Sequence, residues 1–137
     1  MDHQVYSRVK PSEPPVRTGK TILIVDDDGV FRTALADGLL FLLDGVTVYT
    51  AENGEQALAI IRTTPVDLVI TDLRMPQVDG WGVLLGMDEF RPSTPIIVMS
   101  AFADFDTVTD FEMRGIHFCD KPLDLGILAK KVRFLLS

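Results

Sequence analysis

Four short runs of this chain each lead directly into polar side chains that could do chemistry. The first run is followed by three consecutive aspartates, the next by an aspartate, the third by a serine and the last by a lysine. The side chains that we single out at these positions are Asp26, Asp27, Asp72, Ser100 and Lys121. Carboxylates, a hydroxyl and an ammonium group are together the inventory needed to bind a divalent cation and to handle a phosphoryl group.

Carboxylates gathered in one place repel one another, so the arrangement requires a cation or a proton among them. Magnesium prefers oxygen ligands and typically takes one or two carboxylates together with a phosphate oxygen. With two histidines and one cysteine in the chain, no cluster of zinc ligands is evident. We therefore predict a magnesium site, with manganese as the alternative ion, at Asp26, Asp27 and Asp72.

The other two polar residues fit a phosphoryl group. Lys121 would supply a positive charge, and Ser100 a hydroxyl donor for one of the phosphoryl oxygens. Together with an aspartate they complete the set needed for phosphoryl transfer to a carboxylate nucleophile. Asp72 directly follows an apolar strand and opens a loop, which is where an α/β protein does its chemistry.

The elements that must position these side chains alternate between apolar runs of strand length and segments of helical period. This alternation predicts an α/β fold with a parallel sheet, and the uniformly apolar strands should be buried on both faces. Predicted strands cover residues 22–25, 46–50, 65–72, 96–100 and 116–120, and each is followed by a predicted helix. Asp28 and Asn53 are expected to cap the first two helices. Because crossovers are right-handed, the strand ends that carry the polar residues should meet at one edge of the sheet.

The first twenty residues differ in composition from the rest. They contain three prolines and no apolar period, so we predict a flexible leader over residues 1–20 and one folded domain over residues 21–137. Four basic and two acidic residues give the leader a charge of +2, which leaves −9 for the domain out of a total of −7. Such an acidic body argues against direct binding of nucleic acid.

Length and cysteine content further limit the class of protein to which the chain can belong. A chain of 137 residues can bury a sizeable core without disulfides or a structural metal. The single cysteine excludes an intrachain disulfide framework and favours a cytoplasmic location. No apolar stretch approaches the roughly 18 residues of a membrane span, so we expect no membrane insertion.

The polar positions and their neighbours resemble the receiver domain of two-component response regulators, over nearly all of residues 21–137. The resemblance rests on four motifs in the family's order, namely Ile22-Leu23-Ile24-Val25-Asp26-Asp27, Asp72-Leu73-Arg74-Met75-Pro76-Gln77-Val78-Asp79-Gly80, Met99-Ser100-Ala101 and Asp120-Lys121-Pro122. It implies a doubly wound, flavodoxin-like fold, in which five parallel strands lie in the order 2-1-3-4-5 with five flanking helices.

The resemblance also implies roles for the site residues. Asp72 would accept a phosphoryl group from a phosphohistidine on a sensor histidine kinase or phosphotransfer protein. Asp27 and Asp72 would ligate magnesium directly, Asp26 would act mostly through water, and the backbone carbonyl of Arg74 would complete the protein's share. Such a domain catalyses its own phosphorylation and dephosphorylation and is not a turnover enzyme.

Signalling in the family implies two switch residues, Ser100 and Phe118. Ser100 and Lys121 would hold the phosphoryl oxygens, and Phe118 would turn inward as Ser100 moves toward the phosphoryl group. Because phenylalanine lacks the hydroxyl of the tyrosine often found there, it offers no hydrogen bond to a partner. A downstream protein or a second copy would dock on the surface of the fourth helix, fifth strand and fifth helix, and the domain could serve in a phosphorelay.

Two other functions remain open from the residues. A phosphatase of the haloacid dehalogenase type would use Asp26 as nucleophile, because Asp26-Asp27-Asp28-Gly29-Val30-Phe31 loosely matches that family's signature, with Ser100 and Lys121 in the right order after it. It leaves Asp72 without a role and lacks a convincing acidic loop after Lys121. A constitutive docking module would keep the fold without the chemistry.

Overall fold

The structure is a computed structural model that describes residues 19–73, 80–101, 104–121 and 123–137, and the backbone of residues 4–7. Over these ranges it contains six strands and five helices. They are β1 (Gln4–Ser7), β2 (Thr21–Val25), α1 (Gly29–Leu42), β3 (Thr47–Ala51), α2 (Gly54–Thr63), β4 (Leu68–Asp72), α3 (Gly80–Phe90), β5 (Ile96–Ser100), α4 (Phe105–Met113), β6 (His117–Asp120) and α5 (Leu125–Leu136).

The strands form one sheet in the order β1-β3-β2-β4-β5-β6. Strands β2 to β6 are parallel to their neighbours among themselves. Counted alone, these five strands have the order 2-1-3-4-5, so the predicted α/β topology with five helices is confirmed. The predicted strand over residues 96–100 has the observed bounds of β5, and each of the other four predicted strands differs by one to three residues at one or both of its limits.

Strand β1 is a sixth strand that the sequence analysis does not predict. It runs antiparallel to β3, with Gln4 opposite Thr50 and Ser7 opposite Thr47. The edge of β3 presents unpaired backbone donors and acceptors, and a short segment can pair with them without belonging to an amphipathic pattern. The expectation of a leader without regular structure is therefore wrong for residues 4–7, and the three prolines of the leader come after this strand.

The sheet has a helical layer on each face, as its apolar strands predict. On β2, Ile22 and Ile24 face a core completed by α1 and α5, whereas Leu23 and Val25 face a core completed by α2, α3 and α4. This division follows from the two-residue period of a strand. The edge strand β6 departs from the prediction, because its residues are half-buried or exposed.

Polar side chains begin the helices where the sequence predicts it. Asp28 accepts a hydrogen bond from the amide of Phe31 at 3.1 Å, and Asn53 accepts one from the amide of Gln56 at 2.8 Å. Each cap satisfies a backbone donor that the first helical turn leaves unpaired. None of the helices in the described ranges has the length and apolarity needed to cross a membrane.

Candidate functional site

The strand registers place the polar residues at one edge of the sheet. Val25 at the end of β2 lies opposite Thr71, and Asp72 at the end of β4 lies opposite Met99. Ser100 at the end of β5 lies opposite Asp120, the last residue of β6. Because all of these strands run in the same direction, the residues that end or follow them lie at the carboxyl edge of the sheet, as predicted from the sequence.

Three of the predicted residues form a compact acidic cluster. Asp26, Asp27 and Asp72 each contribute a carboxylate oxygen, and these oxygens lie within 4.8 Å of one another. Asp26 is buried, Asp72 is half-buried and Asp27 is exposed. The cluster therefore opens from the core toward solvent on the side of Asp27.

Asp26 is the most constrained member of the cluster. Its Oδ1 accepts a hydrogen bond from the amide of Asp28 at 2.9 Å, and its Oδ2 accepts one from Lys121 Nζ at 2.9 Å. Its backbone carbonyl accepts a hydrogen bond from Arg32 Nη1 at 2.6 Å, and its amide donates to the carbonyl of Ala51 at 3.1 Å. These bonds fix the loop between β2 and α1.

Lys121 is the cation of the site. Nζ lies 2.9 Å from Asp26 Oδ2 and 3.7 Å from Asp72 Oδ2, and the side chain is 22% exposed. Burial alone would lower the pKa of Lys121, but the hydrogen bond to Asp26 and the negative charges of Asp26, Asp72 and Asp28 outweigh it and raise the pKa. Lys121 is therefore fully charged at neutral pH.

Asp72 is held at its backbone and at one carboxylate oxygen. Its Oδ1 accepts a hydrogen bond from the amide of Leu73 at 2.9 Å, and its carbonyl accepts one from the Thr71 hydroxyl at 2.9 Å. Oδ2 is the oxygen that faces Lys121. The side chain is 13% exposed, so it lies within reach of a partner's reactive group at the edge of the sheet.

Ser100 and Phe118 lie on neighbouring strands beside Lys121. Ser100 is 4% exposed, and its carbonyl accepts a hydrogen bond from the amide of Lys121 at 3.1 Å. Phe118 lies opposite Val98 and packs, half-buried, against the core on the side of α2, α3 and α4. Arg74, whose carbonyl the sequence analysis assigns to the metal, lies outside the described residues.

The donor set suits a hard divalent cation. The three clustered side chains offer only oxygen ligands, and the exposure of Asp27 leaves room for water on one side. The ammonium group of Lys121 compensates only part of the charge of three carboxylates. A small cation with oxygen ligands and retained water would relieve the remaining repulsion.

Two further residues of the site have no role predicted from the sequence. Phe31 places its ring centroid 4.5 Å from Lys121 Nζ, and Arg32 holds the carbonyl of Asp26. Both stand in the first turn of α1, directly after the acidic loop. Their position beside that loop could have drawn attention to them, but the contact with Lys121 joins parts of the chain that are far apart in sequence.

Comparison with known proteins adds independent evidence. The response regulator receiver domain family model matches residues 22–133. A probable transcriptional regulator, ycf27, of Cyanidium caldarium is 38% identical over 118 residues, which cover 84% of this chain and 45% of that protein. The DNA-binding transcriptional regulator NtrC of Salmonella typhimurium is 32% identical over 105 residues, which cover 76% of this chain and 22% of that protein.

Solved structures agree with the sequence relatives. A CheY-like response regulator receiver domain protein from Methanospirillum hungatei superimposes with a TM-score of 0.75 at 25% identity, covering 85% of this chain and 93% of that chain. The chain spans less than half the length of the two curated relatives, so the similarity concerns one of their parts. The family is a signalling domain, which decides against the phosphatase. The chain belongs to the receiver domain family of two-component response regulators.

Proposed function

We propose that Asp72 is the phosphoacceptor of this receiver domain and takes its phosphoryl group from a phosphohistidine on a sensor histidine kinase or phosphotransfer protein. The observation that carries the proposal is the position of Lys121 Nζ, 3.7 Å from Asp72 Oδ2 at a cluster of three carboxylates. An ammonium group at this place stabilises negative charge that builds up beside the acceptor. The same geometry leaves the buried Asp26 as a supporting group.

The transfer exchanges one bond for another. An oxygen of the Asp72 carboxylate attacks phosphorus, the bond between phosphorus and the histidine nitrogen breaks, and the electron pair leaves with the imidazole, which takes up a proton. Lys121 and Ser100 hold the phosphoryl oxygens during this exchange. Water then attacks the phosphorus of the acyl phosphate, the bond between phosphorus and the Asp72 oxygen breaks, and inorganic phosphate leaves. In this proposal the domain catalyses that step as well, which returns Asp72 to its free form.

Asp26, Asp27 and Asp72 would hold magnesium, or manganese in its place, with the carbonyl of Arg74 as a further ligand. When bound, the cation supplies positive charge to the phosphoryl oxygens and removes repulsion within the cluster. Asp27 and Asp72 are the direct ligands in this proposal, because they are the more exposed members. Asp26 already has a hydrogen-bond donor on each oxygen and therefore acts through water.

Ser100 and Phe118 form the switch. Ser100 ends β5 beside Lys121, and Phe118 lies on the adjacent edge strand with a half-buried ring. Movement of the Ser100 hydroxyl toward a phosphoryl group on Asp72 would make room for the ring of Phe118 to turn inward. The consequence would be a change of shape on the outer surface of β6.

The docking surface, defined as the outer face of α4, β6 and α5, would transmit that change. The helices α4 and α5 carry four large apolar side chains that are more than 60% exposed, namely Phe105, Met113, Ile127 and Phe134. Ile127 and Phe134 are seven residues apart and therefore lie on one side of α5. Exposed apolar groups on this scale suit a downstream protein or a second copy of the chain.

We place the receiver domain at residues 21–137 and a leader at 1–20, since β2 begins at Thr21 and the family match covers residues 22–133. The charge of −9 on the domain gives no support for direct DNA binding. A cytoplasmic location is consistent with the single cysteine, which forms no disulfide.

Intact mass spectrometry tests the acceptor directly. The protein is incubated with acetyl phosphate or phosphoramidate, with and without magnesium, as wild type, Asp72→Asn and Asp26→Asn. We expect a magnesium-dependent phosphoryl adduct that is lost in Asp72→Asn and substantially retained in Asp26→Asn. Labelling that survives in Asp72→Asn would overturn the assignment, as would an adduct that depends on Asp26 alone.

A further inference from the structure

The first turn of α1 holds an aromatic ring against the cation of the site. Lys121 Nζ lies 4.5 Å from the centroid of the Phe31 ring, inside the roughly 6 Å limit for a cation–π contact. The amide of Phe31 donates to Asp28 Oδ1 at 3.1 Å, which ties the backbone below the ring to the acidic loop. The half-buried ring also packs against the core between the sheet, α1 and α5. The backbone of Phe31 is therefore restrained by the helix cap, and its ring by the core.

Lys121 thus has two kinds of partner. The carboxylates of Asp26 and Asp72 attract it through full charges, and they compete with an incoming phosphoryl group for the same ammonium hydrogens. A ring face attracts a cation through its quadrupole and carries no net charge. It can restrain the ammonium group and still leave its hydrogens available to phosphoryl oxygens.

We propose that Phe31 is a positioning residue for Lys121. The ring keeps Nζ beside Asp72 while the ammonium group exchanges Asp26 for a phosphoryl oxygen, and it thereby increases the rate at which Asp72 is phosphorylated. This inference rests on the proposed function of Asp72. It differs from a purely packing role for Phe31, because packing needs only an apolar side chain of similar size.

Four variants distinguish an effect of the aromatic face from an effect of side-chain size. Phe31→Leu keeps an apolar side chain without the ring, whereas Phe31→Tyr and Phe31→Trp keep an aromatic face. Phe41→Leu is the matched control, because Phe41 lies on the same helix but is 66% exposed. With acetyl phosphate and magnesium, we expect Phe31→Leu to be phosphorylated about 3- to 10-fold more slowly than wild type. We expect Phe31→Tyr to stay within about 2-fold of wild type, with the Phe41→Leu rate unchanged.

A second measurement does not depend on phosphorylation. The ring current of Phe31 should shift the NMR signals of the Lys121 ε-methylene protons, which can be assigned by their loss in Lys121→Arg. We expect this shift in wild type and in Phe31→Tyr, and its loss in Phe31→Leu. Because the shift is read from wild type as well, the test remains valid if a variant is poorly folded.

The two measurements distinguish the inference from the proposed function. If wild type is not phosphorylated at Asp72, the proposed function fails, and a missing ring-current shift would overturn the contact itself. If wild type is phosphorylated but Phe31→Leu reacts at the same rate, the positioning role is wrong. Equal slowing in Phe31→Leu, Phe31→Tyr and Phe31→Trp would also overturn it, since the aromatic face would then not matter.

Discussion

Lys121 and Asp26 are 95 residues apart in sequence, yet Lys121 Nζ donates a hydrogen bond to Asp26 Oδ2 at 2.9 Å. The carboxylate is buried, with its other oxygen bound to the amide of Asp28. A buried carboxylate needs such partners, because loss of one leaves a charge that water cannot reach. This ion pair links Lys121, which directly follows β6, to the loop after β2. It therefore connects the two sides of the site.

Replacement of Lys121 by methionine should destabilise the domain. In the absence of magnesium, we expect the free energy of unfolding to fall by about 2 kcal/mol, because Asp26 loses its donor and the three carboxylates lose their counter-charge. Urea denaturation measures the difference. Lys130→Met, which removes an exposed lysine from α5, should change stability by less than about 0.5 kcal/mol. An equal loss in both variants would contradict the role of the buried pair.

The same ion pair predicts a pH dependence. Since the folded protein raises the pKa of Lys121 above 10.5, its stabilising contribution is complete below that pH and is lost as the pH rises through the folded pKa. The stability difference between wild type and Lys121→Met should be constant from pH 7 to about pH 9.5 and narrow above about pH 10.5. Urea titrations up to pH 11 test this, and a difference that grows with pH would contradict it.

Magnesium should stabilise the folded domain through the acidic cluster. At a concentration about ten times its Kd, a ligand of the native state adds about 1.4 kcal/mol, or about 4 °C in Tm for a domain of this size. Asp27→Asn should raise Tm slightly without metal, because it relieves repulsion, and should lose most of the gain with magnesium. Asp37→Asn, at an exposed site on α1, should respond to magnesium as wild type does. Calorimetry or thermal fluorescence gives the midpoints.

The contact between Gly38 and Leu125 should tolerate no added methyl group. A Cβ on Gly38 of α1 would overlap Leu125 Cδ2 and would approach Cδ1 and Cγ to 3.2 and 3.3 Å, so the whole side chain would have to move. We expect Gly38→Ala to cost about 1 kcal/mol despite the better helix propensity of alanine. Leu125→Ala should remove the clash, so the two changes should not be additive in a double-mutant cycle.

Gly86 provides the matched case in α3. A Cβ there would overlap only the terminal Cδ2 of Leu58, since Cγ lies at an ordinary distance of 3.5 Å. The small cost of rotating Leu58 should offset the gain in helix propensity. We therefore expect the free energy of unfolding of Gly86→Ala to lie within about 0.5 kcal/mol of wild type. If Gly86→Ala were the more destabilising of the two, this account of the packing would be wrong.

Asp104 should make the start of α4 sensitive to acid. Its Oδ1 accepts a hydrogen bond from the amide of Thr107 at 2.8 Å, and this bond lowers the pKa of Asp104 below 3.8. The stabilisation by the cap is therefore complete above that value and is lost as the pH falls through the lower folded pKa. Asp104→Asn keeps a capping oxygen that does not titrate. Urea denaturation from pH 6 to pH 3 should show wild type losing stability relative to Asp104→Asn.

Local patterns in the sequence are sufficient for most of the fold. Residues 96–99 form a continuous apolar run between Pro95 and Ser100, and this pattern predicts the bounds of β5. Strand β4 begins at Leu68, later than the run from Pro65 indicates, because proline lacks an amide and the Asp67 side chain accepts a hydrogen bond from the Thr21 amide at 2.8 Å. Such details depend on partners outside the segment.

The sequence by itself determined the five parallel strands, the burial of the inner strands on both faces and the edge at which the polar side chains meet, because periodicity and the handedness of crossovers are local rules. These side chains are Asp26, Asp27, Asp72, Ser100 and Lys121. Only the tertiary structure decided that residues 4–7 add a strand to the free edge of β3. It also decided that Lys121 lies between Asp26 and the ring of Phe31. Both depend on contacts between segments far apart in the chain, whose strength is set by distance and burial after folding.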